Sequence, residues 1–107
     1  MKLYIFCSFR FEGFHVWPGA PTEYAYLGSR HRHEFHIKAW VRTSSYREVE
    51  FINLKQMMLE QCMMTAKTPE VVNWSCEEWA KYLVDQFGLS RVEVSEDGEN
   101  GAYLEFK

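Results

Sequence analysis

The sequence predicts an α+β fold in which two helices cover one face of an antiparallel sheet of about four strands. Two observations predict it. Apolar residues alternate with period two towards both ends of the chain, and they repeat at helical spacing in its middle. The predicted order is strand, strand, helix, helix, strand, strand. A chain of 107 residues with this order is expected to form a single domain, residues 1–107.

The first two strands are predicted from strict alternation. Residues 1–15 place apolar side chains from Leu3 to Phe11 on one parity, and His15 falls on that same parity. Residues 18–28 contain the turn formers of a long loop. Residues 31–42 alternate again, which predicts the second strand.

Local signals place the remaining elements. Apolar residues repeat at helical spacing from about Phe51 and stop before Pro69, which predicts the first helix. Ser75 and Glu78 have the spacing of a capping box that starts the second helix, and Gly88 has the position of its C-terminal residue. Residues 92–94 and 102–106 alternate as two short strands around the turn formers of 97–101.

Composition narrows the class of protein. The chain has 12 basic and 15 acidic side chains and a net charge of -3, which disfavours a nucleic-acid partner bound by electrostatic attraction. Charged residues interrupt every apolar stretch, so we expect no membrane span and no signal peptide, and a cytoplasmic location. The three cysteines have no paired spacing and are expected to be free thiols. A four-stranded sheet with two open edges is expected to self-associate as a homo-oligomer.

Four polar residues fall on strand positions that otherwise carry apolar side chains: His15, His31, His33 and Glu96. Two imidazoles at i and i+2 lie on one side of a strand, about 6.5–7 Å apart. A third histidine from the neighbouring strand would complete a tripod for zinc with one open position. Taken alone, the pattern also fits histidines with a purely structural role. His36 has the opposite parity and is predicted to face solvent.

Five short motifs carry a resemblance. FEGFH at 11–15 resembles F-S-A-A-H, and HRHEF at 31–35 resembles H-G-H-N-Y. VEFINLK at 49–55 is similar to V-x-D-F-x-x-L-K, NWSCEEWA at 73–80 to N-P-T-A-E-N-I-A, and VEVSE at 92–96 to V-x-V-x-E-T. In this order, the motifs resemble those of the 6-pyruvoyl-tetrahydropterin and 6-carboxy-tetrahydropterin synthases, whose fold is the tunnelling fold.

The resemblance implies a function and a set of site residues. It implies zinc on His15, His31 and His33, a pterin or related purine-like ligand held by Glu96, and an oligomeric barrel. The family motif at the start of the second helix adds two candidate substrate-binding residues, Ser75 and Glu77. The activity it implies is that of a zinc-dependent carbon–oxygen lyase acting on dihydroneopterin triphosphate.

The sequence differs from the family motifs at the residues that transfer protons in the family mechanism. The family cysteine stands four residues before the first histidine of H-G-H, where this chain has Leu27, and residues 56–72 hold neither Asp nor His to match the family's Asp-His pair. Cys7 is a possible replacement thiol. The alternative is therefore a binding or interaction protein without turnover. A further alternative is an RNA-binding stripe of basic and aromatic residues, which the net charge disfavours: Arg30, Arg32, Lys38, Arg42, Trp40 and Tyr46.

Overall fold

A computed structural model describes residues 1–28, 31–69, 71 and 74–106, and the side chains of His15, Leu27 and His31 lie outside that description. Four strands and two α-helices follow the predicted order. The strands are β1 (Leu3–His15), β2 (His31–Thr43), β3 (Arg91–Glu96) and β4 (Asn100–Glu105), and the helices are α1 (Phe51–Thr65) and α2 (Cys76–Phe87). The prediction of an α+β fold with a four-stranded antiparallel sheet and two helices is confirmed.

The strands form one sheet in the order β1-β2-β3-β4, with all neighbours antiparallel. Leu3 is the register partner of Thr43, and His15 is the partner of His31, so β1 and β2 pair over their whole length. Within the described residues, β1 and β4 are the edge strands of this sheet. The long β1–β2 pair sets the register that the candidate site depends on.

Both helices pack on the same face of the sheet, which we call the covered face. Alternate residues of β1, β2 and β3 point into one hydrophobic core with side chains from α1 and α2. Its largest fully buried side chain is Trp79 of α2, whose ring packs edge-on against Phe11 at 5.1 Å and tilted against Phe35 at 5.9 Å. The other face, the open face, carries the polar parity of the strands.

The ends of α2 confirm the local predictions. The Ser75 hydroxyl accepts a hydrogen bond from the Glu78 amide, and the Glu78 side chain accepts one from the Ser75 amide, which is a complete capping box. Gly88 follows the helix in the left-handed conformation with φ of 61°. In α1 the Glu50 side chain caps the first turn by accepting from the amides of Ile52 and Asn53.

Two segments differ from the sequence prediction. Residues Thr22–Gly28, predicted as part of a loop, form a 3-10 helix that is kinked at Tyr24, whose backbone is not helical. Such short helices have no apolar periodicity that a sequence pattern can show. The last turn is also shorter than predicted, because β3 ends at Glu96 and β4 begins at Asn100. In the described part of the chain, no helix combines the length and the hydropathy needed to cross a membrane.

Candidate functional site

The backbone brings the three candidate histidines to one end of the β1–β2 pair. His15 and His31 are direct register partners, and His33 is the partner of Gly13, two positions along the same strand. The positions share the parity of Phe11 and Phe35, which belong to the core. The side chains of His15 and His31 lie outside the described residues, so the zinc tripod remains a prediction about a shared backbone location.

Gly13 has a structural role at this end of the sheet. A Cβ atom at this position would lie 2.8 Å from the Cε2 atom of Phe35. Phe35 is fully buried and its ring stacks on Phe11 at 5.5 Å, so it has no room to give way. The glycine therefore lets the aromatic core extend to the register position beside His33.

His33 lies between two carboxylates. Its Nδ1 atom is 3.0 Å from the Oδ2 atom of Asp97, and its Nε2 atom is 3.5 Å from the Oε2 atom of Glu96. The side chain of His33 is 19% exposed and that of Glu96 is 28% exposed, so both are partly withdrawn from water. Two carboxylates beside one ring make this end of the covered face electronegative, which favours a bound cation.

Two atoms at the His33 ring can be compared with the ligands of a zinc ion. Two ligand atoms on one tetrahedral zinc ion lie about 3.4 Å apart when each bond is about 2.1 Å. His33 Nε2 and Glu96 Oε2 are 3.5 Å apart, and both atom types are zinc ligands. Among the side chains that the structure describes, no group of three or more His, Cys, Asp or Glu is placed to hold a metal, and His15 and His31 are not in that set.

Asp97 is a site residue that sequence reasoning missed. It was predicted only as a turn former, but its Oδ1 atom accepts from the Glu34 amide at 3.0 Å and its own amide donates to the Glu34 carbonyl at 2.7 Å. The hydrogen bond from the Glu34 amide lowers the pKa of the Asp97 carboxyl most, and the hydrogen bond with His33 lowers it next. The one local signal is that Asp97 directly follows Glu96 at the end of a strand.

Cys76 lies close to the carboxylate of Glu96. It is the first residue of α2 and is buried, and its pKa is raised to about 12, first by burial and then by the negative charges of Glu96 and Glu77. The side chain is therefore a neutral thiol at physiological pH. It is buried at the first position of α2 and packs into the core there.

The two other predicted substrate-binding residues, Ser75 and Glu77, lie at the start of α2 but differ in exposure and contacts. Ser75 is half-buried, and its hydroxyl is engaged in the capping box with Glu78. Glu77 is exposed on the first turn of α2, where its charge reaches Cys76. Both residues lie at the same end of the covered face as Glu96. Any role they have in binding a ligand stays a prediction.

Cys7 is too far along β1 to serve the histidines of its own chain. It pairs with Ala39, whereas Gly13 pairs with His33. Six residues of strand separate the two positions, a distance of about 20 Å. Burial also raises the pKa of the Cys7 thiol. Leu27, at the position of the family cysteine, has its side chain outside the described residues, although its backbone belongs to the 3-10 helix.

Most of the described residues of the RNA-binding alternative lie on the open face of the sheet. His36 is half-exposed there and its Nε2 atom is 2.9 Å from Glu34 Oε1, in line with its predicted orientation. Lys38 lies over the rings of Phe6 and Trp40, and Arg32 pairs with Glu12 at 3.5 Å. Arg42 is exposed on the same strand, Tyr46 is exposed in the turn after β2, and Arg30 lies outside the described residues.

A cleft runs along the free edge of β1 beside the histidine end of the sheet. It has a volume of about 1010 Å³ and lies between residues 10–14 of β1 and the C-terminal half of α1 with the segment after it, where Leu59, Met63 and Pro69 line it. The volume is at the upper end of what small-molecule sites have. Within the described residues β1 is an edge strand, so the cleft lies next to an open edge of the sheet.

No protein-family model matches the chain, and no curated protein sequence matches it either. The geometry around His33 and the short motifs that resemble those of the pterin synthases are the observations on which a functional proposal can rest.

Proposed function

We propose that the protein binds a zinc ion through His15, His31 and His33 and holds a pterin or related purine-like ligand on the carboxylate of Glu96. The observation that carries this proposal is the placement of His33. Its imidazole lies between Asp97 and Glu96 at the end of the covered face where His15 and His31 are register partners. Histidine ligands of metals commonly give their second nitrogen to a carboxylate, as His33 does to Asp97.

Each residue has a defined task in this proposal. The three histidines hold the metal, which when bound supplies a Lewis acid beside the ligand. Glu96 accepts N–H groups from the edge of the ring, a charge-assisted contact for which its partly exposed carboxylate is suited. Because Glu96 Oε2 is 3.5 Å from His33 Nε2, a ring anchored there lies next to the metal.

The state of the Cys76 and Cys7 thiols favours a protein that binds the ligand without converting it. Burial and two negative charges keep the thiol of Cys76 protonated, and Cys7 is six strand residues from the register position of His33. A protonated thiol is a poor base for moving a proton at carbon. The lyase activity implied by the resemblance therefore depends on a proton carrier other than these two cysteines.

We propose in addition that the protein self-associates through the edges of its sheet. Within the described residues β1 and β4 are edge strands, and β1 offers unpaired backbone groups along thirteen residues. A neighbouring chain on β1 would close the cleft beside the histidine end. Size-exclusion chromatography with light scattering tests this directly, because a monomer at micromolar concentration would contradict it.

Elemental analysis of the purified protein tests the metal site. We expect stoichiometric zinc in the wild type and its loss in His31→Ala and His33→Ala. His36→Ala is the matched control, because His36 lies on the same strand but on the open face. Wild-type protein that takes up no zinc on reconstitution would contradict the proposal, as would His33→Ala protein that keeps its zinc.

Pterin binding by the zinc-loaded protein tests the role of Glu96. Glu96→Gln should weaken binding by about 1.5–3 kcal/mol, the value of a hydrogen bond to a charged group, while Glu93→Gln on the open face should not. Unchanged pterin affinity would remove Glu96 as the anchor. Loss of zinc from Glu96→Gln would instead make Glu96 a metal ligand. Incubation with dihydroneopterin triphosphate distinguishes binding from turnover, because a lyase releases triphosphate.

A further inference from the structure

The turn between β3 and β4 is held against β2 by one residue. Asp97 has φ of 58°, a left-handed conformation that residues other than glycine seldom adopt. Its amide donates to the Glu34 carbonyl, its Oδ1 atom accepts from the Glu34 amide, and its Oδ2 atom lies 3.0 Å from Nδ1 of His33. These contacts offset the cost of the backbone conformation and join residues 63 and 64 positions apart.

We propose that Asp97 is the positioning residue of His33, holding the imidazole in the tautomer with hydrogen on Nδ1. A carboxylate can only accept, so Nδ1 must be the donor in this contact. A neutral ring with hydrogen on Nδ1 presents the lone pair of Nε2 on its other side, towards Glu96. That is the form of imidazole that ligates a metal.

The two oxygens of Asp97 divide two tasks between them. Oδ1 accepts from the amide of Glu34 and so helps to fix the turn against β2. Oδ2 is directed at the imidazole on the covered face. The turn and the ring orientation therefore depend on one carboxylate, so the site is tied to the position of the β3–β4 hairpin.

A second histidine of β2 shows the opposite arrangement. His36, on the open face, contacts Glu34 through its Nε2 atom at 2.9 Å, whereas His33 contacts Asp97 through Nδ1. Both contacts join an imidazole to a carboxylate, but the ring nitrogen in contact is Nε2 in His36 and Nδ1 in His33. The comparison provides an internal control for the tautomer, since the two rings lie on the same strand.

Nuclear magnetic resonance of metal-free protein with ¹⁵N-labelled histidine tests the tautomer, at a pH where the rings are neutral. We expect His33 to carry hydrogen on Nδ1 in the wild type. In Asp97→Asn the amide NH₂ can donate to Nδ1, so the hydrogen should move to Nε2. Asparagine tolerates positive φ, and its oxygen can still accept from Glu34, so the turn is retained. Glu34→Gln, the control, should alter only His36.

The same variants report on metal affinity, a consequence that rests on the proposed function. Titration of Zn²⁺ against a chelator should show affinity lower by about 10–100-fold in Asp97→Asn and unchanged in Glu34→Gln. Equal zinc affinity in Asp97→Asn and the wild type would overturn the positioning role, as would a His33 ring with hydrogen on Nε2 in the wild type. If the wild type binds no zinc while Asp97 still determines the tautomer, the proposed function fails and the positioning role stands.

Discussion

The two ends of strand β2 use the same electrostatic device for different purposes. At its start, the Asp97 carboxylate contacts the His33 ring and the Glu34 amide. At its end, Glu48 Oε2 accepts from the hydroxyl of Thr43 at 2.6 Å and from the amide of Ser44 at 2.7 Å. Both carboxyls have lowered pKa values as a result. In each case a carboxylate meets a polar residue, His33 or Thr43, on the parity of β2 that faces the core.

The difference between the ends lies in the residue that the carboxylate meets. Thr43 is buried, and its hydroxyl donates to Glu48 within its own turn. His33 has two ring nitrogens, and while Nδ1 contacts Asp97, Nε2 is directed at Glu96. One end is therefore a closed turn, whereas the other places a second ring nitrogen beside a second carboxylate. The second ring nitrogen of His33 is therefore the feature that distinguishes the proposed site from the turn at Thr43.

Both ends depend on the core between them, so the largest effect is expected from its central side chain. Trp79→Ala removes a ring that packs on Phe11 and Phe35, and it should lower the free energy of unfolding by about 3–5 kcal/mol. Urea denaturation measures this loss. Trp79→Phe is the milder variant if the alanine variant does not fold.

Trp40→Ala on the open face is the matched control. Trp40 packs on Phe6 and receives cation–π contacts from Lys38 and Arg91, which together contribute about 1–2 kcal/mol. A loss as large as that of Trp79→Ala would mean that the open face is buried in solution, for example by a second copy of the chain. The prediction that Trp79→Ala lowers the free energy of unfolding more than Trp40→Ala would then be wrong.

Residues that signal their structure locally were predicted best. The capping box of Ser75 and Glu78 spans four positions and Gly88 ends the same helix, so α2 could be placed from sequence alone. The alternation of β2 gave its bounds to within one residue, since the structure extends it from Arg42 to Thr43. Such signals succeed because the interaction that fixes the structure lies within one turn or one strand.

What the sequence could not show depends on contacts between distant positions. The residues next to Asp97 in the sequence indicate only that it belongs to a turn. Its contact with His33 exists only because β3 pairs with β2 in this register. The 3-10 helix Thr22–Gly28 has no apolar repeat, and Tyr24 stacks at 6.0 Å on Trp17. The metal tripod was predicted from parity and stays a prediction, and the structure shows only that His15 and His31 are register partners.

A smaller loss of stability is expected from Ser75→Ala at the start of α2, and it tests whether Ser75 has a structural role as the helix cap. Ser75→Ala removes the acceptor for the Glu78 amide and should cost about 1 kcal/mol of unfolding free energy. Because the hydroxyl serves the helix, zinc content should not change. Ser44→Ala is the control at the other end of β2, where Glu48 keeps its other donors and the loss should be smaller. A Ser75→Ala protein of unchanged stability would contradict the structural role.

The smallest change in stability is expected from replacing Glu48, and it can be recognised because it depends on pH. Hydrogen bonds, the Thr43 hydroxyl first and the Ser44 amide next, lower the pKa of Glu48 from 4.5 to about 2. A carboxyl whose pKa is lower in the folded state than in the unfolded one stabilises the fold above the unfolded value. That contribution is lost as the pH falls from 4.5 towards 2.

Glu48→Gln removes this titration while keeping the shape of the side chain. The difference in unfolding free energy between wild type and Glu48→Gln should be greatest at neutral pH and shrink as the pH falls from 4.5 towards 2, because the wild-type carboxyl becomes neutral there. Urea denaturation across this range measures it. Since Glu48 is exposed, the whole difference stays small. A difference that does not vary with pH would mean that the turn is held by shape alone, and the likeness between the two ends of β2 would then be geometric rather than electrostatic.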